Sequence, residues 1–314
     1  MAVEFINFIQ NGIVFSEEER LLLPLFNNLK NSKKRFLIIR ETWLDQETLL
    51  REIKNKKFDA VVTISFMDAP NIDYNFLNDY PIYKIGYFRN SPYYFDFHSY
   101  MTLKYLKVDQ NITFDSKVIN TSFMCLNGKP HRHRELLTKG LVKKGLHHSN
   151  IISFNSTGSG FKLTVDQFKQ TTITPGPFDP YTYGDLENWK KHFLNVVTET
   201  KIYNEQDFFI TEKTYKPILG FKPFIVHSIN GSINILNKFN FENYYDDFND
   251  ITNLDLINYK NHVEFLKILN KQSKKYLQKK YKSLKEKIFY NKNNFTKHQK
   301  TQLISLKESI KNIF

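Results

Sequence analysis

Residues 208–227 read FFITEKTYKPILGFKPFIVH. An apolar run from Phe208 to Ile210 meets Thr211, whose hydroxyl can accept from the free N–H groups of a helix start. Glu212 and Lys213 then occupy a first turn, where the helix dipole and unpaired amides favour an anion. Pro217 cannot donate to the carbonyl four residues back, Gly220 can adopt the left-handed conformation that ends a helix, and Pro223 to Val226 resume an apolar strand. The segment predicts a β–α–β unit with a polar cradle. A carboxylate such as Glu212 can accept both hydroxyls of a ribose, and the compact ammonium of Lys213 suits a phosphate.

Upstream, Phe193 to Val197 is a second apolar strand, ending at Thr198-Glu199-Thr200, so that Glu199 joins Glu212 at one sheet edge. Further back, Ser122 to Leu126 reads as a buried strand and Asn127-Gly128 as a turn. Lys129, Arg132 and Arg134, with His131 and His133, open a helix carrying Leu136, Leu137 and Leu141 that Gly145 can end. Cations beside a helix N-terminus work against the dipole, which marks an anion site. Ile151 to Phe154 is the next strand, and the loop Ser156 to Gly160 fits neither a P-loop nor a dinucleotide fingerprint. Residues 171–183 form an irregular Pro-rich excursion. After the cradle, a helix is expected over Ile233 to Phe239, and from Tyr259 onward Leu277, Tyr281, Leu284 and Ile288 recur at helical spacing.

Read together, Thr211 to Thr214, Lys216 to Ile218 and Pro223 to Ile225 resemble the donor-binding signature of the alpha-1,3-fucosyltransferase-like glycosyltransferases. They are similar also to viral and phage glycosyltransferase-like proteins with Thr-Glu-Lys-Thr followed by Lys-Pro-Ile and Pro-Phe-Ile. The resemblance covers residues 122–247. It implies an α/β fold of two Rossmann-like lobes of GT-B type, to which the helical spacing from Tyr259 onward adds a basic helical C-terminus. It implies a UDP- or GDP-linked nucleotide sugar as cosubstrate with no other cofactor, and Arg134 and Lys213 as counter-cations make a donor site without metal the consistent expectation. Thr211, Glu212 and Lys213 would then hold ribose and phosphates. Arg134, with Arg132 second, would reach the diphosphate, and Glu199 would accept a sugar hydroxyl or orient Lys213. Lys216 and Pro217 replace the small apolar residues usual in the fucosyltransferase helix, so the identities of sugar and base do not carry over.

The N-terminal half alternates helix and strand: a helix at 16–31, strands at 36–39 and 60–64, a helix at 47–57 and a strand at 80–88. Ligands of open parallel sheets sit at the carboxyl ends of strands, which puts Asp68 first and Glu41 second as general base for an acceptor hydroxyl. Arg89, among the aromatics of YFRNSPYY at 87–94, is a candidate acceptor contact. The expected domains are residues 1–118 on the acceptor side, 119–258 on the donor side, and a Lys-rich helical segment at 259–314.

The chain has 314 residues and a net charge of +13, and residues 267–314 hold fourteen Lys against two Glu. Those lysines, Lys274, Lys275, Lys279 and Lys280 foremost, are either a solvated face or a surface for a polyanion. Phage-type double-stranded DNA with hydroxymethylated bases is the leading acceptor, a surface glycan the alternative, and an anionic membrane a further partner for the same lysines. A non-catalytic nucleic-acid-binding protein is the competing class. The single cysteine, Cys125, excludes an internal disulfide and reads as core. Asp246-Asp247 lies outside the cradle and makes no convincing metal signature. The start MAVEFINFIQNGIVF lacks the basic lead of a signal peptide, and no apolar run reaches eighteen residues, so a cytoplasmic protein without a transmembrane segment is expected.

Overall fold

The computed structural model describes residues 36–40, 59–65, 81–86, 93–94, 96, 99, 102, 106, 112–128, 131–154, 183–199, 210–228 and 231–313. The chain divides into two compact units, Met1–Met101 with Gln299–Phe314, and Thr102–His298. The last helix therefore contributes its final turns to the first unit.

In the first unit β1 (Phe36–Arg40), β2 (Ala60–Ser65), β3 (Ile82–Gly86) and β4 (Tyr93–Tyr94) form one sheet in that order, every neighbour parallel. The runs FLII and AVVTI lack polar alternation, as suits parallel strands covered on both faces. The expected strand at 80–88 contracts to 82–86, and Tyr93, in the aromatic stretch at 87–94, pairs with Ile85. The helices expected at 16–31 and 47–57 lie outside the described residues.

The second unit holds β5 (Thr121–Asn127), β6 (Ile151–Phe154), β7 (His192–Val197) and β8 (Phe224–Val226), ordered β6-β5-β7-β8 and again all parallel. The chain steps from β5 outward to β6 and returns past β5 to β7. The winding thus reverses between β5 and β7, and a sheet of this kind opens its ligand crevice at the carboxyl ends of those two strands. The β7 pattern HFLNVV is buried throughout, and Phe123, Phe193 and Leu194 are fully enclosed. Each such side chain contributes about 1.5–3 kcal/mol.

Seven α-helices have a full range among the described residues: α1 (Arg132–Lys143), α2 (Leu186–Lys191), α3 (Glu212–Leu219), α4 (Gly231–Lys238), α5 (His262–Asn270), α6 (Lys274–Ser283) and α7 (Lys285–Ile313). α1 closes with Gly145 at φ 70, its N–H on the Val142 carbonyl, as the sequence suggested. The β–α–β unit is built differently from expectation. β7 is the strand beside β8 in the sheet, Ile210 is a buried non-strand residue, and residues 208 and 209 lie outside the described set.

The end of α3 also differs. Gly220 has φ −82, and Phe221 takes the left-handed position at φ 55. Glycine serves closeness there, because a Cβ would meet the Lys216 carbonyl oxygen at 3.0 Å and the Tyr183 and Trp189 rings at 3.2 Å. Phe221 is held by a 2.5 Å hydrogen bond from Tyr281 Oη to its carbonyl and by the Lys292 ammonium 3.5 Å from its ring centre. The next residue, Lys222, is buried and donates to the Lys190 and His192 carbonyls at 3.0 and 2.8 Å, and burial lowers its amine to about 7.

α5 runs from the carboxyl edge of the sheet, where His262 meets His227, to the amino edge, where Asn270 accepts from Asn150 at 2.8 Å. α6 then crosses the amino edge: Gln278 reaches the Lys117 and Ile119 carbonyls ahead of β5, and Tyr281 reaches Phe221 ahead of β8. Among the described strands β8 stands at the edge, and its Val226 N–H donates to Tyr245 Oη at 3.2 Å, which shields that edge from pairing.

Candidate nucleotide site at the β5–β7 switch point

Glu199 is the joint of this edge. It follows β7 by two residues and is fully buried. Its carbonyl accepts from His133 Nε2 at 2.9 Å and Arg134 Nη2 at 3.2 Å, both on the first turn of α1. Its carboxylate accepts from Thr211 N at 3.0 Å, Thr211 Oγ1 at 2.5 Å and Thr214 Oγ1 at 2.6 Å, at the start of α3. One residue thereby pins two helix N-termini, each with its positive dipole end, to the same strand exit.

Thr211 is the N-cap that its sequence suggested. Its hydroxyl spends its proton on Glu199 and accepts from Lys213 N at 3.3 Å and Lys213 Nζ at 3.2 Å. Lys213 Nζ also stands 2.6 Å from Glu212 Oε1, with the lysine side chain 30% exposed and that of Glu212 8%. The ammonium is therefore the solvent-facing member of the cradle. An incoming phosphate would share it with Glu212.

Arg134 is only 2% exposed, and its Nη2 donates to the Thr198 carbonyl at 2.9 Å as well as to Glu199. Burial pulls its pKa down, and the charges of Glu199 and Glu212 pull it back up. The residue forms the floor of the site, countering two buried carboxylates. Arg132 is exposed on the outer side of the same turn. Lys129, Glu41, Asp68 and Arg89 lie outside the described residues. Glu41 directly follows β1 in sequence and Asp68 comes three positions after β2.

Several residues without an assigned role in the sequence complete the edge. Asn127, which reads there only as half of a turn, is 1% exposed, accepts from Thr198 Oγ1 at 2.7 Å and donates to the Ser153 carbonyl, so it ties together the exits of β5, β6 and β7. A polar residue closing an apolar strand was the available signal. His133 is buried, and burial with the neighbouring Arg134 charge lowers it to about 4. His227 follows β8 and forms a pair with His262. His262 Nε2 meets the Leu256 carbonyl at 2.8 Å, which can only accept, so its Nδ1 carries the lone pair and His227 Nδ1 donates to it at 3.3 Å. Burial keeps both rings neutral, His262 lowered to about 4 and His227 well below the usual range. Cys125, buried beneath the edge, is pushed up to about 12 and is inert core.

The lysines of the C-terminal segment divide. Lys280 pairs with Asp250 at 2.8 Å and is 16% exposed, whereas Lys274, Lys275 and Lys279 are exposed and form no ion pair with another described residue. All four sit on α6, along the amino edge of the sheet, away from Thr211 and Lys213 at the carboxyl edge. Among the described residues no group of three His, Cys, Asp or Glu side chains could hold a metal, and no helix is long and apolar enough to cross a membrane. No family model, no curated protein and no solved structure matches the chain.

Proposed function

We propose that the protein is a glycosyltransferase that takes a nucleotide sugar at the β5–β7 switch point, in a fold of two Rossmann-like lobes of GT-B type. The observation that carries this reading is the Glu199 joint, which gathers the N-termini of α1 and α3 around the partly exposed Lys213 at the carboxyl ends of parallel strands. Two dipole ends and one ammonium suit a diphosphate, while Glu212, adjacent to that ammonium, suits ribose hydroxyls. Donor binding needs no metal in this reading, because the developing phosphate charge meets fixed amides and a lysine. An acceptor hydroxyl would be deprotonated by a carboxylate of the first unit, Asp68 before Glu41.

For the acceptor, a hydroxymethylated base in double-stranded DNA comes first and a surface glycan second. The support for DNA is the exposed set Lys274, Lys275 and Lys279. Their location at the amino edge makes them a holding surface for polyanion rather than part of the reacting centre.

The test is titration of the full chain with UDP, GDP, CDP and their sugars, followed by calorimetry. One nucleotide should bind, and Lys213→Ala should weaken it by about 1.5–3 kcal/mol, the worth of a charge-assisted contact. Absence of binding by every nucleotide, with tight DNA binding retained, would leave the protein a non-catalytic nucleic-acid binder.

A further inference from the structure

The second unit holds an open cavity of about 360 Å³ that the switch-point site does not use. It lies between the C-terminal end of α4, the loop at 239–246 and the first turns of α7. None of its described lining residues belongs to the switch-point site, so the cavity is separate from Lys213. Its size falls at the small end of ligand clefts, about 300–1,000 Å³.

The wall of the cavity is fixed in advance. Asn291 accepts from Glu242 N and donates to Glu242 O, both at 2.8 Å, and Asn294 donates to the Phe239 and Asn240 carbonyls at 2.8 and 2.9 Å. Lys287 is spent on Asp247 at 2.6 Å and on the Asn243 carbonyl at 3.1 Å. With the backbone so latched, the side chains of Asn237, Asn240, Glu242, Asp246 and Tyr290 line the space, and they make no hydrogen bond or ion pair with another described residue.

This set has a definite chemistry. Two amides each offer a donor and an acceptor, two carboxylates offer only acceptors, and the Tyr290 side chain is 45% exposed. An anion is disfavoured, because Lys287, the one cation among the described lining residues, is already neutralised by Asp247. Adjacent hydroxyls match carboxylate and amide pairs, and the C–H face of a pyranose packs on an aromatic ring, amphipathic ligand against amphipathic side chain. We propose that this cavity is a binding site for a neutral saccharide, independent of the nucleotide site.

Saturation-transfer NMR on the full chain with glucose, galactose, N-acetylglucosamine, fucose and lactose tests the assignment, with choline chloride and calcium chloride as competing probes. At least one sugar should bind at millimolar concentration. Tyr290→Ala and Glu242→Gln should each weaken it at least tenfold with unchanged melting curves, since both side chains are exposed, and Lys213→Ala should leave it intact. No sugar binding, binding indifferent to both cavity variants, or binding of choline or calcium in place of any sugar would overturn it. UDP titration in the same samples separates the two sites: loss of sugar binding with nucleotide binding retained removes only this inference, and the reverse result removes only the donor assignment.

Discussion

At the scale of single residues, Lys213 and Arg134 look alike in sequence, each a cation beside a helix start, and the structure gives them different surroundings. Lys213 faces solvent from the first turn of α3, and Arg134 lies beneath the edge with its guanidinium on two carbonyls. Arg134→Ala should cost about 3–5 kcal/mol in urea unfolding, because it removes the buried cation that faces Glu199 and leaves Glu212 to Lys213. Lys213→Ala should cost about 1–2 kcal/mol, from weaker compensation of Glu212 alone. Equal losses for the two variants would show that Arg134 is not the floor of the site. The capping role of Thr211 was legible because it depends on neighbours two and three positions away. The role of Glu199 was not, since its partners are His133, Arg134, Thr211 and Thr214, which only the folded sheet brings to one strand exit.

At the scale of elements, apolar runs located seven of the eight described strands within one or two residues, because burial on both faces leaves an uninterrupted hydrophobic signal, whereas the two-residue β4 was not expected and the run ending at Ile210 gives no strand at that residue. Short polar elements escaped. α2 is a six-residue helix, LENWKK, with one fully inward residue, Trp189, and it is set by Asp185, whose carboxylate caps Glu187 N and Asn188 N. The end of α3 escaped for another reason: Gly220 reads in sequence as a conformational device, whereas three neighbours crowd its missing Cβ. Gly140 poses the same question where α1 crosses α5. A Cβ there would stand 2.8 Å from Val263 Cγ2, a branched side chain with little rotameric escape. Gly140→Ala gains about 1 kcal/mol of helix propensity and loses about 1–3 kcal/mol to overpacking. The expected sum is a lower unfolding midpoint; a raised one would mean that α5 can shift outward freely.

At the scale of the whole molecule, two properties follow from groups spread through the second unit. Four buried histidines, His133, His192, His227 and His262, have pKa values lowered chiefly by burial. Below about 6.5 the unfolded chain takes protons that the folded chain refuses, so their stabilisation is complete above 6.5 and is lost as pH falls towards 4. His262→Gln should flatten the slope of unfolding free energy between pH 6.5 and 5, by less than the roughly 1.4 kcal/mol per pH unit that one whole proton would give. A slope unchanged by the variant would exclude His262 as a contributor.

The charge map is the second property, and the lysine count in the sequence could not show how it divides. Lys280 on α6 serves Asp250, an intramolecular pair, while Lys274, Lys275 and Lys279 meet solvent. If that exposed face holds DNA, replacing those three by Gln should weaken binding and reduce the slope of log affinity against log salt by about 0.9 for each phosphate that is no longer neutralised. Lys280→Gln should barely move that slope and should instead cost up to about 1 kcal/mol of stability, the worth of a partly exposed ion pair. Nucleotide affinity should stay constant in all four replacements, since the lysines and Lys213 stand at opposite edges of one sheet. Loss of binding to anionic liposomes with DNA binding unchanged would assign the face to a membrane surface. A salt slope that moves equally for Lys280 and for the exposed three would mean that the Asp250 pair opens on the polyanion, and the two populations of lysine would then be one.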